Sequence, residues 1–151
     1  MKFSADMAIY DKSGQLALVV EVKNKLNTST DWAAKMRRNM LAHGLMPDTR
    51  FFLLALPDRF YLWKDAGVVS EIVSPTYTID PKPFLRLYYN GSEISLDSLT
   101  GESFELVISS WLSKLLQADV LPPELEDQDW LIESELFEAI KHGHLAAQVA
   151  V

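Results

Sequence analysis

The chain of 151 residues contains no cysteine. Disulfides and thiolate metal ligands are therefore excluded, any metal must be held by oxygen or imidazole, and a reducing cytoplasm is the simplest compartment. Glycine is scarce at six residues, and a hydrophobic content of 48% argues against disorder. No apolar run approaches the roughly 20 residues that span a bilayer, and the N-terminus lacks the charged and apolar regions of a signal peptide. We expect a soluble cytoplasmic protein with no membrane partner, built as a single domain over residues 1–151.

Excess positive charge is also missing, since the formal net charge is -7. The deficit is unevenly placed. Residues 1–64 hold ten Lys and Arg against six Asp and Glu, a balance of +4, whereas residues 65–151 hold four against fifteen, a balance of -11. With a Debye length of about 8 Å at physiological salt, a phosphate docking on the first part would feel its local charge more than the distant acidic part. Global acidity thus weakens a nucleic-acid reading without excluding it.

The elements present form a mixed α/β order. Met7 to Tyr10 reads as a strand, Asp11-Lys12-Ser13-Gly14 as a turn, and Gln15 to Val22 as the returning strand of a β-hairpin. Ser29 or Thr30 can cap a helix from about Asp31 to His43, closed by Gly44, with Trp32, Met36 and Met40 on one face at spacing four. Phe51 to Leu56 and Arg59 to Lys64 read as two strands joined at Pro57-Asp58. Pro75, Pro81 and Pro83 break residues 74–84 into extended or turn segments, and Phe84 to Tyr89 is a helical turn or strand. Phe104, Val107, Ile108, Trp111, Leu112 and Leu115 recur at helical spacing, with Thr100 or Ser103 as cap. A last helix is expected over about Asp129 to Lys141, with frayed residues after Gly143.

Leu16-Ala17-Leu18-Val19-Val20 is apolar on both faces and reads as a central strand, at whose end Glu21 and Lys23 stand on the face of Val19. If a four-residue turn pairs Tyr10 with Gln15, Asp6 lies opposite Val19 and is the diagonal neighbour of Glu21, roughly 7–8 Å away between backbones. If the turn is a three-residue loop with a Gly14 bulge, pairing shifts by one and Asp6 changes face unless a second irregularity restores it. Two carboxylates about 4 Å apart repel by around 4 kcal/mol at an effective dielectric near 20, so their convergence calls for a cation or a shared proton. Mg²⁺ or Mn²⁺ suits such a pair, because a hard ion takes one or two carboxylates and keeps its other positions for water and phosphate. Lys23 would orient or activate the attacking water or offset charge on the phosphate, and the Val22 carbonyl would be a further ligand.

Asp6, the hairpin, the apolar strand ending in Glu21-Val22-Lys23 and the helix that follows resemble the PD-(D/E)xK restriction-endonuclease-like superfamily, especially the N-terminal nuclease domain of type I restriction subunits. The resemblance covers roughly residues 3–64, leaving residues 65–151 as additional strands and C-terminal helices. It implies a mixed β-sheet flanked by helices, Asp6 and Glu21 as metal ligands, Lys23 as the catalytic lysine, and phosphodiester hydrolysis, with DNA the expected substrate. Two features depart from the family pattern: Ala5 stands where the family has Pro, and only five residues precede Asp6 where the family has a helix. We expect a C-terminal amphipathic helix, carrying Trp111 and Leu115 or Leu136 and Phe137, to cover the sheet instead.

Plainer readings stand beside these. Glu21 and Lys23 at a solvated strand end would form a cross-strand ion pair worth about 0–1 kcal/mol. Lys25, Lys35, Arg37 and Arg38 are candidates for tracking a nucleic-acid backbone, or they solubilise a helix. Glu133, Glu135 and Glu138 form a solvated face, or one of them replaces the acidic ligand of the missing helix. The alternative to a nuclease is a catalytically inactive module of the same fold for nucleic-acid binding or protein interaction, and a weaker possibility is a homodimer formed through the Trp111 and Phe137 helices.

Overall fold

The computed structural model describes residues 4–44, 46–68, 71–88 and 100–150. Its centre is a six-stranded sheet in the order β5-β4-β3-β2-β1-β6. The strands are β1 Ser4–Tyr10, β2 Leu16–Val22, β3 Phe51–Leu56, β4 Arg59–Lys64, β5 Tyr77–Ile79 and β6 His144–Ala150. Strands β2 and β3 run parallel through the crossover helix α1, Thr30–Ala42, and every other neighbouring pair is antiparallel. The helices are completed by α2 Lys82–Leu85, α3 Gly101–Gln117, α4 Trp130–Glu133 and α5 Leu136–Ile140, so the expected α/β class and central placing of β2 and β3 hold. Tyr89, the expected end of the segment from Phe84, lies outside the described residues, and that segment is helical over Lys82–Leu85 and in a 3-10 turn over Arg86–Tyr88. Among the described residues no helix is long and apolar enough to cross a membrane.

The hairpin decides which way Asp6 points. Asp11 N–H donates to the Gln15 carbonyl at 2.7 Å, Gly14 N–H donates to the Asp11 carbonyl at 2.9 Å, and Gly14 sits at φ +89°. This is the three-residue loop, in which a left-handed Gly supplies the bulge, and not the four-residue turn that would pair Tyr10 with Gln15. Tyr10 accordingly pairs with Leu16, but Ile9 already pairs with Leu18, so Ala17 is a second extra residue. Two one-residue shifts add to two, and the side-chain parity is restored. The pairing runs as far as Met7 opposite Val20, and just beyond it Asp6 reaches the end of β2 and neighbours Glu21.

One sheet face is closed by α2 to α5. Met7, Ile9, Leu18, Val20, Phe51, Leu53 and Phe60 meet Phe84, Trp111, Trp130 and Phe137 there. The Trp111 ring lies 5.2 Å from Phe84, 5.5 Å from Phe60 and 6.3 Å from Trp130. Helix α3 is presented by Thr100, whose hydroxyl accepts the Ser103 N–H at 3.0 Å. The cover expected from the C-terminal helices is therefore supplied, and by the chain itself. Trp111 and Phe137, proposed above for contact with a second copy, are 0% and 2% exposed in this single chain.

Two C-terminal expectations are corrected. The helix expected over Asp129 to Lys141 is interrupted at Glu135, which takes φ +69°, while the buried Ser134 hydroxyl accepts the Leu136 N–H at 3.1 Å and starts α5. The residues after Gly143 are not frayed, since β6 pairs with β1 from Tyr10↔His144 to Ser4↔Ala150. Gly143 permits this approach: a Cβ there would lie 2.3 Å from the Tyr10 carbonyl oxygen, closer than any side chain tolerates.

Helix α1 covers the other face. Ser29 caps it by accepting the Trp32 N–H at 3.1 Å, and Gly44 follows its end at φ +65°. Its buried residues are Ala33, Ala34, Arg37 and Met40, packed toward Val19, Phe52, Leu54 and Trp63. The packing stripe is thus turned by one residue from the expected Trp32, Met36 and Met40, because the small Ala33 and Ala34 allow closer approach to the sheet than an indole would. Trp32 and Met36 are left at the flank, partly buried.

Candidate metal centre

Strands β1 and β2 bring Asp6 and Glu21 together on the α1 side of the sheet. Asp6 Oδ2 accepts the Val22 N–H at 2.8 Å, which anchors the aspartate to the strand opposite. Glu21 is 8% exposed, and its carboxyl group lies beside that of Asp6. Its pKa is pushed up from the usual 4.5 to about 7, first by burial and then by the adjacent Asp6 carboxyl group. The Lys23 charge opposes this rise without cancelling it. Burial and the Asp6 charge thus favour the protonated form of Glu21 until pH approaches about 7.

Lys23 is partly buried at the strand exit, where its backbone N–H donates to the Ala55 carbonyl at 3.0 Å and continues the parallel ladder. The chain that leaves it is pinned to the β3–β4 turn. Asn27 N–H donates to Asp58 Oδ2 at 3.1 Å, and the Thr28 and Tyr61 hydroxyls are hydrogen bonded at 2.8 Å. Asp58 and Tyr61 were not among the residues that sequence reasoning singled out. Nothing in their spacing marks them, since the contact joins segments 31 and 33 residues apart.

The basic candidates separate. Lys25 is exposed, with its ammonium 5.1 Å from the centre of the Trp32 ring, and Arg38 is partly buried on α1. Lys35 is exposed and paired with Asp31 at 3.0 Å. Arg37 does not line a surface for phosphate: it is 2% exposed, donates through Nη2 to the Gly67 carbonyl at 2.7 Å and stacks 5.9 Å from the Trp63 ring centre. Its position on the packing stripe of α1 takes it inward, and burial lowers its pKa. The acids of the last helices turn elsewhere. Glu135 pairs with Lys64 at 2.9 Å and Arg50 at 3.5 Å, Glu138 pairs with Lys141 at 3.1 Å, and Glu133 is exposed. Helix α5 packs on the opposite face from Asp6 and Glu21, so these residues do not replace a missing ligand.

Among the described residues, no group of three or more His, Asp or Glu gathers to hold a metal ion. Asp6 and Glu21 form a two-carboxylate donor set, which fits a hard divalent cation that keeps several waters. An open depression of about 560 Å³ between α3 and the start of β6, lined by Ser113, Gln117, His142 and His144, lies toward the Tyr10 end of β1, away from Asp6. Comparison with protein-family models, curated proteins and solved structures found no match to this chain.

Proposed function

We propose that the chain is a Mg²⁺- or Mn²⁺-dependent nuclease-like protein that hydrolyses phosphodiester bonds, with DNA the expected substrate. The observation that carries this reading is the Asp6–Glu21 pair, two neighbouring carboxyl groups at a strand exit, one held by the Val22 N–H, with Lys23 beside them. A packed core gains nothing from two acids in that position, where each raises the cost of charging the other. Asp6 and Glu21 would hold the ion, with the Val22 carbonyl as a further donor. When bound, such an ion lowers the pKa of a coordinated water and offsets charge on phosphoryl oxygens. The Val22 N–H keeps Asp6 in place before any ligand arrives, so little reorganisation is left for binding. Lys23 contributes a positive charge on the same side, suited to a phosphate oxygen or to orienting the attacking water.

The test is cleavage of supercoiled and linear DNA with Mg²⁺ or Mn²⁺ against an EDTA control. Asp6→Ala, Glu21→Ala and Lys23→Ala are each expected to lower the rate at least about 100-fold while the circular dichroism spectrum is kept. A second reading, a catalytically inactive module that binds nucleic acid or a protein, is favoured by one observation: no third His, Asp or Glu joins the pair among the described residues. Folded wild type that neither cleaves with either ion nor binds Mn²⁺ would decide for the second reading.

A further inference from the structure

Two residues beyond Lys23, the chain carries Lys25, whose ammonium stands over the ring of Trp32 at 5.1 Å. A hydrated cation over an indole marks a ring face that solvent reaches. Trp32 is alone among the four tryptophans in this respect: Trp63, Trp111 and Trp130 are 1%, 0% and 7% exposed, whereas Trp32 is only partly buried. Its placing is firm. Ser29 accepts its N–H, its ring also packs against the α1-side core, and the preceding loop is tied down through Asn27 and Thr28. The backbones of Lys23 and Lys25 can be no more than about 7 Å apart. A carboxylate pair, two lysines and a partly exposed indole therefore follow one another along a short stretch of chain.

From this juxtaposition we infer that Trp32 is a stacking platform for an unpaired nucleobase and Lys25 serves the neighbouring phosphate, so that the site takes single-stranded DNA. The inference rests on the nuclease-like reading of Asp6, Glu21 and Lys23 and adds to it the form of the substrate. In a duplex each base is already stacked on its neighbours, whereas a single strand offers a free π-face at every base. Lys25 occupies the place a base would take. Its hold on an exposed ring is weak, and an incoming strand supplies the phosphate to which the ammonium moves.

The experiment titrates the full chain, in EDTA, with a single strand and with the duplex of the same sequence, reading tryptophan emission with unlabelled DNA and anisotropy with labelled DNA. Single strand is expected to quench emission, and Trp32→Phe to remove most of the quench. Trp32→Ala is expected to weaken single-strand binding about tenfold and duplex binding by less than about twofold. The wild-type quench does not depend on any variant folding. Single-strand binding with unchanged emission, equal quenching by duplex, or wild-type affinity in a folded Trp32→Ala protein would each overturn the platform and leave the nuclease-like reading standing. Wild type that binds neither form also overturns it, and the metal-dependent cleavage assay then decides the nuclease-like reading separately.

Discussion

The two faces of the sheet are built to different rules. Toward α2–α5, apolar side chains from Met7 to Phe60 meet Phe84, Trp111, Trp130 and Phe137. Toward α1, Val19, Phe52, Leu54 and Trp63 share their side with Asp6, Glu21 and the buried Arg37. Burying a large apolar side chain contributes about 1.5–3 kcal/mol, so the first face accumulates stability contact by contact. The second carries groups whose burial costs free energy unless they are paired. The difference teaches that the closed face stabilises a fold whose other face can hold two mutually repelling acids.

The largest expected effect lies on the closed face. Trp111→Ala should lower unfolding stability by about 3–5 kcal/mol, read from the urea midpoint, because the site is surrounded by rigid aromatic rings and cannot collapse. A loss below about 1 kcal/mol would break the comparison, since α3 would then be dispensable to the core.

The next concerns Glu21 and pH. Its folded pKa of about 7 lies above the usual 4.5, with burial the first cause and Asp6 the second. The folded state therefore holds this proton more tightly than the unfolded chain. The stability contributed by the protonated group is complete below about pH 4.5 and is lost as pH rises through about 7. Without metal, thermal melts should show wild type losing on the order of 3 kcal/mol over that interval relative to Glu21→Gln, whose slope should be flatter. Parallel pH profiles for the two proteins would show that Glu21 is not strained on this face.

The smallest effect is expected at Arg37. Its Nε and Nη1 are buried without a hydrogen-bond partner among the described residues, so its charge is only partly compensated. Arg37→Met, which keeps most of the volume, should change stability by no more than about 1 kcal/mol in either direction. Lys35→Ala, removing an exposed pair, serves as the control at about 0.5 kcal/mol or less. An Arg37→Met loss as large as that of Trp111→Ala would mean that the α1 face depends on its charge as much as the other depends on its rings.

Much of the architecture was legible because its signals are local. Strands Phe51–Leu56 and Arg59–Lys64 have the ends expected from their apolar runs and the Pro57-Asp58 turn, and the Ser29 and Thr100 caps lie where hydroxyls precede helical periodicity. The presence of Asp6, Glu21 and Lys23 around one strand exit was legible from residue type and position. Whether they meet was not, because the parity rests on two irregularities, and only the one at Gly14 has a residue-type signal. At Ala17 no residue type announces a bulge.

By itself, then, the sequence determined strands β1 to β4, helices α1 and α3, the apolar stripe of α3 and the presence of two acids and a lysine around one strand exit. These follow from backbone preferences and from periodicities of two and 3.6 residues, which act within a few positions. Tertiary structure alone decided that β6 returns to pair with β1, that Arg37 turns inward, that the last helix breaks at Glu135 and that Asp6 neighbours Glu21. Each of these depends on surfaces distant in the chain coming into contact, as when Tyr10 meets His144, and their energies come from burial and pairing between segments that local patterning does not specify.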